Sequence, residues 1–189
     1  NVFKYITVRI ALSVITSFLI LFLIGEPLIK IFERKQISGP IRQDGPIDHI
    51  IKKSGTPTMG GLIIIFGIIL GTLLWADLKN TYILTVIFVS LSLGLLGFSD
   101  DLLKIKLKNS RGLNSKLKFL GQLFIGAVTI FILSKYSNHD YLNNLYFPFF
   151  KNAVLFMGIF FIPFALFVIV GSSNAVNLTD GLDGLATVP

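Results

Sequence analysis

The feature that most constrains the fold is a set of five uncharged, strongly apolar stretches separated by charged segments. They cover residues 10–25, 54–76, 80–99, 119–134 and 152–179. A transmembrane α-helix needs about 20 mainly apolar residues, and none of the stretches shows the alternation of a barrel strand. We therefore predict an all-α, polytopic transmembrane helical bundle, with five complete spans at about 6–25, 58–76, 80–99, 117–135 and 153–171.

Composition excludes a soluble globular domain. Of the 189 residues, 53% are hydrophobic and 14% are charged, and the mean hydropathy is +0.77, whereas soluble domains carry about 25% charged residues. The absence of cysteine excludes disulfides, thiolate metal sites and a cysteine nucleophile. Residues 1–189 thus form one integral-membrane domain. We expect it to be incomplete, because the sequence opens on Asn1 and stops directly after a glycine-rich motif.

The distribution of positive charge predicts an orientation. The 17 Lys and Arg residues include six between 30 and 53 and six between 104 and 118. Cytoplasmic loops carry such an excess, so the segments 30–57, 100–116 and 172–186 are predicted to be cytoplasmic loops, with the N-terminus outside. The Trp and most Tyr residues lie near the opposite membrane face, as an outer aromatic belt would.

Two smaller expectations concern packing. Gly67 and Gly71 form a GxxxG pattern on the second span, which can mark a close contact between helices. The segment YSNHDYLNNLYFPFF is predicted to be an external loop, and a hairpin is one conformation open to it.

The first of three unusual cytoplasmic segments is IRQDGPIDHIIKKSGTPTMGG. It contains Lys53, and Thr58 is a candidate N-cap for the second span. A helix N-terminus with free amides and nearby lysines suits a phosphate group. A polar loop that merely starts a helix is an equally weighted alternative.

The second segment, SDDLLKIKLKNSRGLNSKLK, begins with two adjacent carboxylates. Asp100 and Asp101 stand where the third span is predicted to end, and a helix C-terminus disfavours negative charge. One alternative is that Ser99 or Asp100 caps a following short helix, with nearby lysines as solvated partners. Capping needs one aspartate only, and ionisable residues at membrane depth are functional candidates, so we favour a functional pair.

The third segment, SSNAVNLTDGLDGLA, comes after the fifth span. Asn177, Asp180 and Asp183 are three residues apart, which keeps them roughly on one side of a helix or tight turn. Their oxygen atoms suit Mg²⁺ or a base and ribose. The three segments together favour phosphoryl transfer, in which positioning and charge neutralisation do most of the work. From the residues alone, the protein is a membrane enzyme or a transporter that handles a phosphorylated ligand.

One family resembles this chain in three motifs, which occur in the same order between apolar spans: GPIDHIIKKSGTPTMGG, GFSDDLLKIKLKNSRGLNSKLK and SNAVNLTDGLDGLA. It is the bacterial phospho-N-acetylmuramoyl-pentapeptide transferase family, within the polyprenyl-phosphate N-acetylhexosamine-1-phosphate transferase superfamily. The aspartate pair and NxxDGxDG are shared across that superfamily, whereas GTPTMGG after a lysine is specific to the muramoyl-pentapeptide branch.

The resemblance implies an activity in peptidoglycan biosynthesis. Phospho-MurNAc-pentapeptide would pass from UDP-MurNAc-pentapeptide to undecaprenyl phosphate, giving lipid I and UMP, with Mg²⁺ as cofactor. The implied location is the bacterial cytoplasmic (inner) membrane, with the active site facing the cytoplasm. No nucleic-acid partner is expected, and a homodimer is one expected assembly.

The resemblance also implies roles for the second segment. Asp100 and Asp101 match the active-site pair, which binds or deprotonates the lipid phosphate. Lys104, Lys108 and Lys116 match basic positions near the path of the pyrophosphate and the lipid phosphate.

The nucleotide side of the implied site draws on the other two segments. Lys53 and Thr58 match residues at the nucleotide pocket. Asn177, Asp180 and Asp183 match positions that hold the uridine, and Asn177 is also the candidate metal ligand.

The chain departs from the family pattern in what it lacks. The family has about ten spans, and its main metal-binding aspartate and its histidine-rich loop have no match here. We therefore expect this fragment alone to be inactive. Two alternatives stay open: a sister transferase that moves GlcNAc-1-phosphate to a polyprenyl phosphate, and a transporter for a phosphorylated ligand.

Overall fold

The computed structural model describes residues 2–34, 59–107, 112–136, 144–147 and 154–179. Within these residues the chain forms five α-helices, one two-stranded sheet and two short 3-10 turns. The helices are α1 (Ile6–Arg34), α2 (Gly60–Trp75), α3 (Thr81–Leu107), α4 (Ser115–Tyr136) and α5 (Phe161–Thr179). The strands are β1 (Asn144–Tyr146) and β2 (Val154–Phe156), and the 3-10 turns are Val2–Lys4 and Gly158–Phe160.

The helices have the length and apolar surface of membrane spans. Four segments are long and apolar enough to cross a membrane: Ile6–Phe32, Thr81–Leu107, Ser115–Tyr136 and Gly158–Val176. Helix α2 is a shorter apolar helix of 16 residues, which at 1.5 Å per residue is about 24 Å long. Large apolar side chains point outward, with Phe22 84% exposed and Phe167 75% exposed. The all-α, polytopic membrane fold predicted from the sequence is confirmed, with α2 shorter than the predicted span.

The chain divides into two compact units. One comprises Asn1–Lys79 and Ser90–Ser115, and the other comprises Asn80–Val89 and Lys116–Pro189. The first unit therefore contains α1, α2 and the second part of α3. The second unit contains the start of α3, the two strands, α4 and α5.

In the first unit, α1 and α2 pack as an antiparallel pair through small residues. Ser17 Oγ donates to the carbonyl oxygen of Gly67 at 3.0 Å. A Cβ added at Gly71 would contact Ser17 Oγ and would lie 2.8 Å from the carbonyl oxygen of Ser13. The close contact predicted from the GxxxG pattern is confirmed, because only glycine lets these backbones approach so closely.

Polar side chains join α1 and α2 at the end of the pair where α2 ends. Arg9 Nε donates to the carbonyl oxygen of Trp75 at 2.5 Å, at the C-terminus of α2. Trp75 Nε1 in turn donates to Thr16 Oγ1 at 2.9 Å. A cation at a helix C-terminus is favourable because the last carbonyl groups lack partners within the helix.

Three helices extend beyond the predicted ends of their spans. Helix α1 continues to Arg34, α3 to Leu107 and α5 to Thr179, so the first residues of all three predicted cytoplasmic loops are helical. The expectation that α3 ends beside the aspartate pair is wrong, as is the alternative of a separate short helix capped there. The helix continues because the charges after its apolar segment pair along its own surface, at spacings of three and four residues.

The start of α2 also differs from the expectation. Met59, not Thr58, is the N-cap residue, with φ 73° and ψ 18° and no side-chain hydrogen bond to the helix. The amide of Leu62 donates instead to the carbonyl oxygen of Met59 at 3.1 Å. Thr58 lies outside the described residues, so its binding role stays a prediction.

In the second unit, α4 and α5 are joined by a segment that contains the two strands. Strands β1 and β2 are antiparallel, with Leu145 opposite Leu155. Only β1 lies in the segment for which a hairpin was considered, because β2 lies in the predicted fifth span, 153–171, and α5 begins at Phe161. Helices α4 and α5 approach closely at Gly126, where an added Cβ would lie 2.8 Å from Leu166 Cδ2.

Candidate active site

The candidate site is built on the last turns of α3, where two aspartates share one lysine. Lys104 Nζ lies 2.7 Å from Asp100 Oδ2 and 3.0 Å from Asp101 Oδ1. Positions 100 and 104 are four residues apart, and positions 101 and 104 are three apart, so one helix turn brings all three side chains together. We call Asp100, Asp101 and Lys104 the carboxylate cluster.

The two aspartates differ in exposure. The side chain of Asp100 is 8% exposed and that of Asp101 is 35% exposed, while that of Lys104 is 29% exposed. Asp100 is therefore held inside the fold, whereas the side chains of Asp101 and Lys104 are only half-buried. Sequence reasoning treated the aspartates as equivalent, and the structure separates them.

The second oxygen of Asp100 is held by the segment that comes after α3. The amide of Leu113 donates to Asp100 Oδ1 at 2.7 Å. Gly112 precedes it with φ +57°, and a Cβ added there would meet Asp100 Oδ1 and would lie 2.8 Å from Lys104 Cε. A left-handed conformation in so narrow a space favours glycine. The backbone of Gly112 and Leu113 thus fixes the orientation of Asp100.

These contacts were missed from the sequence. Gly112 was visible there only as one residue of a polar loop. One sequence signal could have drawn attention to Gly112. It follows a run of basic residues, and that run follows the two aspartates. Such a glycine indicates a turn, but the sequence does not say which side chain the turn meets.

In the cluster, one ammonium group faces two carboxylates. Lys104 offsets the repulsion between the neighbouring carboxylates, which a medium of low dielectric would strengthen.

One face of the same helix carries an open, mainly apolar depression, which we call the apolar groove. It has a volume of about 570 Å³ and is lined by Ser99, Leu102, Leu103, Ile105 and Lys106. Apolar walls beside a charged group suit a ligand that has a hydrocarbon portion and an ionic portion.

The other predicted site residues are described only in part. Lys116 lies in the first turn of α4 with an exposed side chain, and Asn177 lies in the last turn of α5. The side chain of Asn177 is outside the described residues. Four further predicted residues lie wholly outside them: Lys53, Lys108, Asp180 and Asp183.

The described residues do not form a complete metal site by themselves. Among them, no three His, Cys, Asp or Glu side chains come together.

Comparison with known proteins supports the family resemblance. The sequence profile of glycosyl transferase family 4 matches residues 83–189. The phospho-N-acetylmuramoyl-pentapeptide-transferase signature 1 matches residues 53–65, which include the motif that the resemblance assigned to the muramoyl-pentapeptide branch.

Three curated relatives carry the name phospho-N-acetylmuramoyl-pentapeptide-transferase. The protein of Pelagibacter ubique (strain HTCC1062) is 56% identical over 189 residues, which is 100% of this chain and 52% of the relative. That of Thermodesulfovibrio yellowstonii is 48% identical over 186 residues, covering 98% of this chain and 51% of the relative. That of Orientia tsutsugamushi (strain Ikeda) is 48% identical over 190 residues, covering 100% of this chain and 52% of the relative. The chain thus spans about half the length of these relatives.

Proposed function

Because this chain belongs to glycosyl transferase family 4, we propose that the protein is a phosphosugar transferase that makes lipid I. It transfers phospho-MurNAc-pentapeptide from UDP-MurNAc-pentapeptide to undecaprenyl phosphate and releases UMP. The name shared by the relatives from Pelagibacter, Thermodesulfovibrio and Orientia supports this substrate pair. So does the match of the pentapeptide-transferase signature at residues 53–65.

The observation that carries the proposal is the carboxylate cluster at the end of α3. It places the half-buried carboxylate of Asp101 and the ammonium group of Lys104 within 3.0 Å of each other, on a helix that also carries an apolar groove. A polyprenyl phosphate has the matching chemistry, since its hydrocarbon chain suits the groove and its phosphate suits Lys104.

In the proposed reaction, an oxygen of the lipid phosphate bonds to the phosphorus that carries the sugar. The bond from that phosphorus to the bridging oxygen breaks, and UMP leaves with the electron pair. Asp100 and Asp101 accept the proton of the lipid phosphate or orient that group, and Lys104 lowers the charge repulsion around it. A two-step route through an aspartyl phosphate would use the same pair.

The remaining site residues are proposed to hold the nucleotide and the diphosphate. Their assignment rests on the family motifs, and they are Lys53, Thr58, Lys108, Lys116, Asn177, Asp180 and Asp183. Mg²⁺ is the proposed cofactor, with Asn177 as a ligand from this chain beside the substrate phosphates. When bound, it supplies the positive charge that a diphosphate needs beside the two carboxylates.

The proposed location is the bacterial cytoplasmic membrane, with the carboxylate cluster on the cytoplasmic face. Twelve of the 17 Lys and Arg residues lie in the segments 30–53 and 104–118, which the positive-inside rule places in the cytoplasm. A homodimer is the proposed assembly, and mass measurement of the protein in detergent would test it.

The test is an assay of the purified full-length protein in detergent. Given UDP-MurNAc-pentapeptide and undecaprenyl phosphate, it should release UMP and form lipid I in equal amounts. Chelation of divalent metal should stop the reaction, and added Mg²⁺ should restore it. Residues 1–189 alone should form no product.

Two further arms separate the competing functions. Turnover of UDP-GlcNAc in place of UDP-MurNAc-pentapeptide would establish the sister transferase instead. Counterflow of a phosphorylated ligand in proteoliposomes, without any covalent lipid product, would establish a transporter.

A further inference from the structure

A glutamine is completely buried in the apolar part of α4. Gln122 has 0% of its surface exposed. Its amide nitrogen donates to Ser173 Oγ at 3.1 Å, and its amide oxygen accepts from Asn174 Nδ2 at 2.7 Å. Both ends of the Gln122 amide are therefore bound to two neighbouring residues of α5.

Asn174 also makes a hydrogen bond within α5. Besides the bond to Gln122, its Nδ2 donates to the carbonyl oxygen of Val170 at 2.9 Å, one turn earlier in its own helix. One turn further along α4, Gly126 brings the helices close enough that an added Cβ would lie 2.8 Å from Leu166 Cδ2. The side chain of Leu166 packs over Gly126, and the amide pair joins Gln122 to Asn174, so two contacts about one turn apart hold α5 against α4.

Stability alone is a weak reason for such a pair. Helices in a membrane associate through small residues and van der Waals packing, as α1 and α2 do in the first unit. Buried polar contacts are best attested as devices that set helix register. An amide pair that can form in one rotation only is such a device.

The rotation of α5 matters because a predicted nucleotide-binding residue lies near its end. Asn177 is one helical turn beyond Asn174, in the last turn of α5, and the motif NLTDGLDG begins at that residue. A rotation of α5 at Asn174 would turn Asn177 by the same angle.

We infer that Gln122 is a positioning residue for nucleotide binding: through Asn174 it sets the rotation of α5, and so the side of that helix on which position 177 and the start of the predicted nucleotide-binding motif lie. The inference rests on the proposed function. In this role Gln122 touches no substrate. It acts by limiting α5 to one orientation, as outer partners orient the ligands of a metal site.

The test uses the full-length protein with two single substitutions. Gln122→Met keeps the volume of the side chain and removes its hydrogen bonds to Ser173 and Asn174. Thr129→Val is the matched control, since Thr129 is a buried α4 residue, 5% exposed, whose hydroxyl donates within its own helix to the carbonyl oxygen of Ile125.

The expected result is a selective loss of nucleotide affinity. In Gln122→Met, the KM for UDP-MurNAc-pentapeptide and the Kd for UMP rise about tenfold, the low end of the losses seen when an outer positioning partner is removed. The KM for undecaprenyl phosphate stays within about twofold of wild type, since the carboxylate cluster is not rotated. Thr129→Val stays near wild type in every constant.

Three outcomes would overturn the inference. One is wild-type UMP affinity in Gln122→Met. Another is a lower melting temperature of that variant with both KM values unchanged, which is the behaviour of a purely structural contact. The third is a failure of the proposed function itself, which appears in the wild-type protein as absence of both lipid product and UMP binding, before any variant is compared.

Discussion

Two polar features of the first unit use polar groups in opposite ways. Where α1 meets α2, Ser13, Ser17, Gly67 and Gly71 form what we call the small-residue contact, and the Ser17 hydroxyl is satisfied within it by the carbonyl oxygen of Gly67. At the end of α3, the carboxylate cluster brings three charged groups together. The first feature lets two backbones approach, and the second gathers charged groups at the end of one helix.

The difference indicates which polar groups stabilise the fold and which serve chemistry. Uncharged small residues permit close packing without a large desolvation penalty. Two carboxylates beside an apolar segment repel each other and resist burial, so packing gives no reason for them. Substitutions in the small-residue contact should therefore lower stability and spare turnover, and substitutions in the carboxylate cluster should do the reverse.

The largest effect is expected from the aspartates. In the full-length protein, Asp100→Asn or Asp101→Asn should lower the rate of lipid I formation at least about 100-fold, the contribution typical of an acid–base group. Folding should persist, because asparagine at position 100 still offers Leu113 an acceptor oxygen. Release of UMP measures the rate, and the melting temperature measures folding.

The matched control for this comparison is Asp77→Asn. Asp77 is an exposed aspartate that accepts a hydrogen bond from the amide of Lys79 at 3.1 Å, in the turn before α3. The rate of lipid I formation by Asp77→Asn should remain that of wild type. Near-normal rates in both cluster variants would contradict the role proposed for the pair.

The next effect is expected at Gly112. Gly112→Ala places a Cβ against Asp100 Oδ1 and Lys104 Cε at a φ of +57°. We expect turnover to fall about tenfold, since a displacement well below 1 Å at a reacting group already slows catalysis. Gly97→Ala is the control, because a Cβ at that helical position meets no atom within 4 Å. Equal rates in the two alanine variants would show that Asp100 does not depend on this turn.

Much of the fold can be predicted from local sequence signals. The apolar stretches predicted all five helices, because the length of an uncharged run can be counted in the sequence. The four-residue spacing of Gly67 and Gly71 can be counted in the same way, and it predicted a close contact between helices. The motifs GTPTMGG and NxxDGxDG pointed to the family that the comparisons support.

The errors occurred where tertiary geometry decides. The end of the apolar run at Ser99 was read as the end of a helix, although the spacing of Lys104 already allowed both aspartates to be paired along it. The contact between Leu113 and Asp100 joins residues 13 apart in the chain, and no pattern of residue types indicates it. A left-handed Met59 was likewise outside what residue preferences predict.

In the small-residue contact, Gly71→Ala should reduce stability by about 1–3 kcal/mol, the usual penalty of overpacking. The added Cβ meets Ser17 Oγ and the carbonyl oxygen of Ser13, and the backbone carbonyl has little freedom to move. Turnover per folded molecule should be unchanged. Gly25→Ala on α1 is the control, since its Cβ would meet no atom within 4 Å. Lost turnover at full stability in Gly71→Ala would break the division between the two features.

The smallest effect is expected from Ser17→Ala, and its value lies in a double-mutant cycle. Alone, it removes the hydrogen bond to the carbonyl oxygen of Gly67 and should reduce stability by about 0.6 kcal/mol, the mean for such bonds between membrane helices. Combined with Gly71→Ala, it removes the hydroxyl nearest to the added Cβ, so the double variant should be more stable than the sum of the single losses by about 0.5–1 kcal/mol.

The same cycle with Ser134→Ala supplies the reference. Ser134 donates only within α4, to the carbonyl oxygen of Phe131 at 2.8 Å, and its loss should simply add to that of Gly71→Ala. Melting temperatures of the single and double variants in detergent measure both cycles. Additive losses for Ser17 as well would mean that the α1–α2 contact adjusts by moving the helices apart. Coupling confined to Ser17 would mean that the contact is rigid, as a feature that only holds the fold together should be.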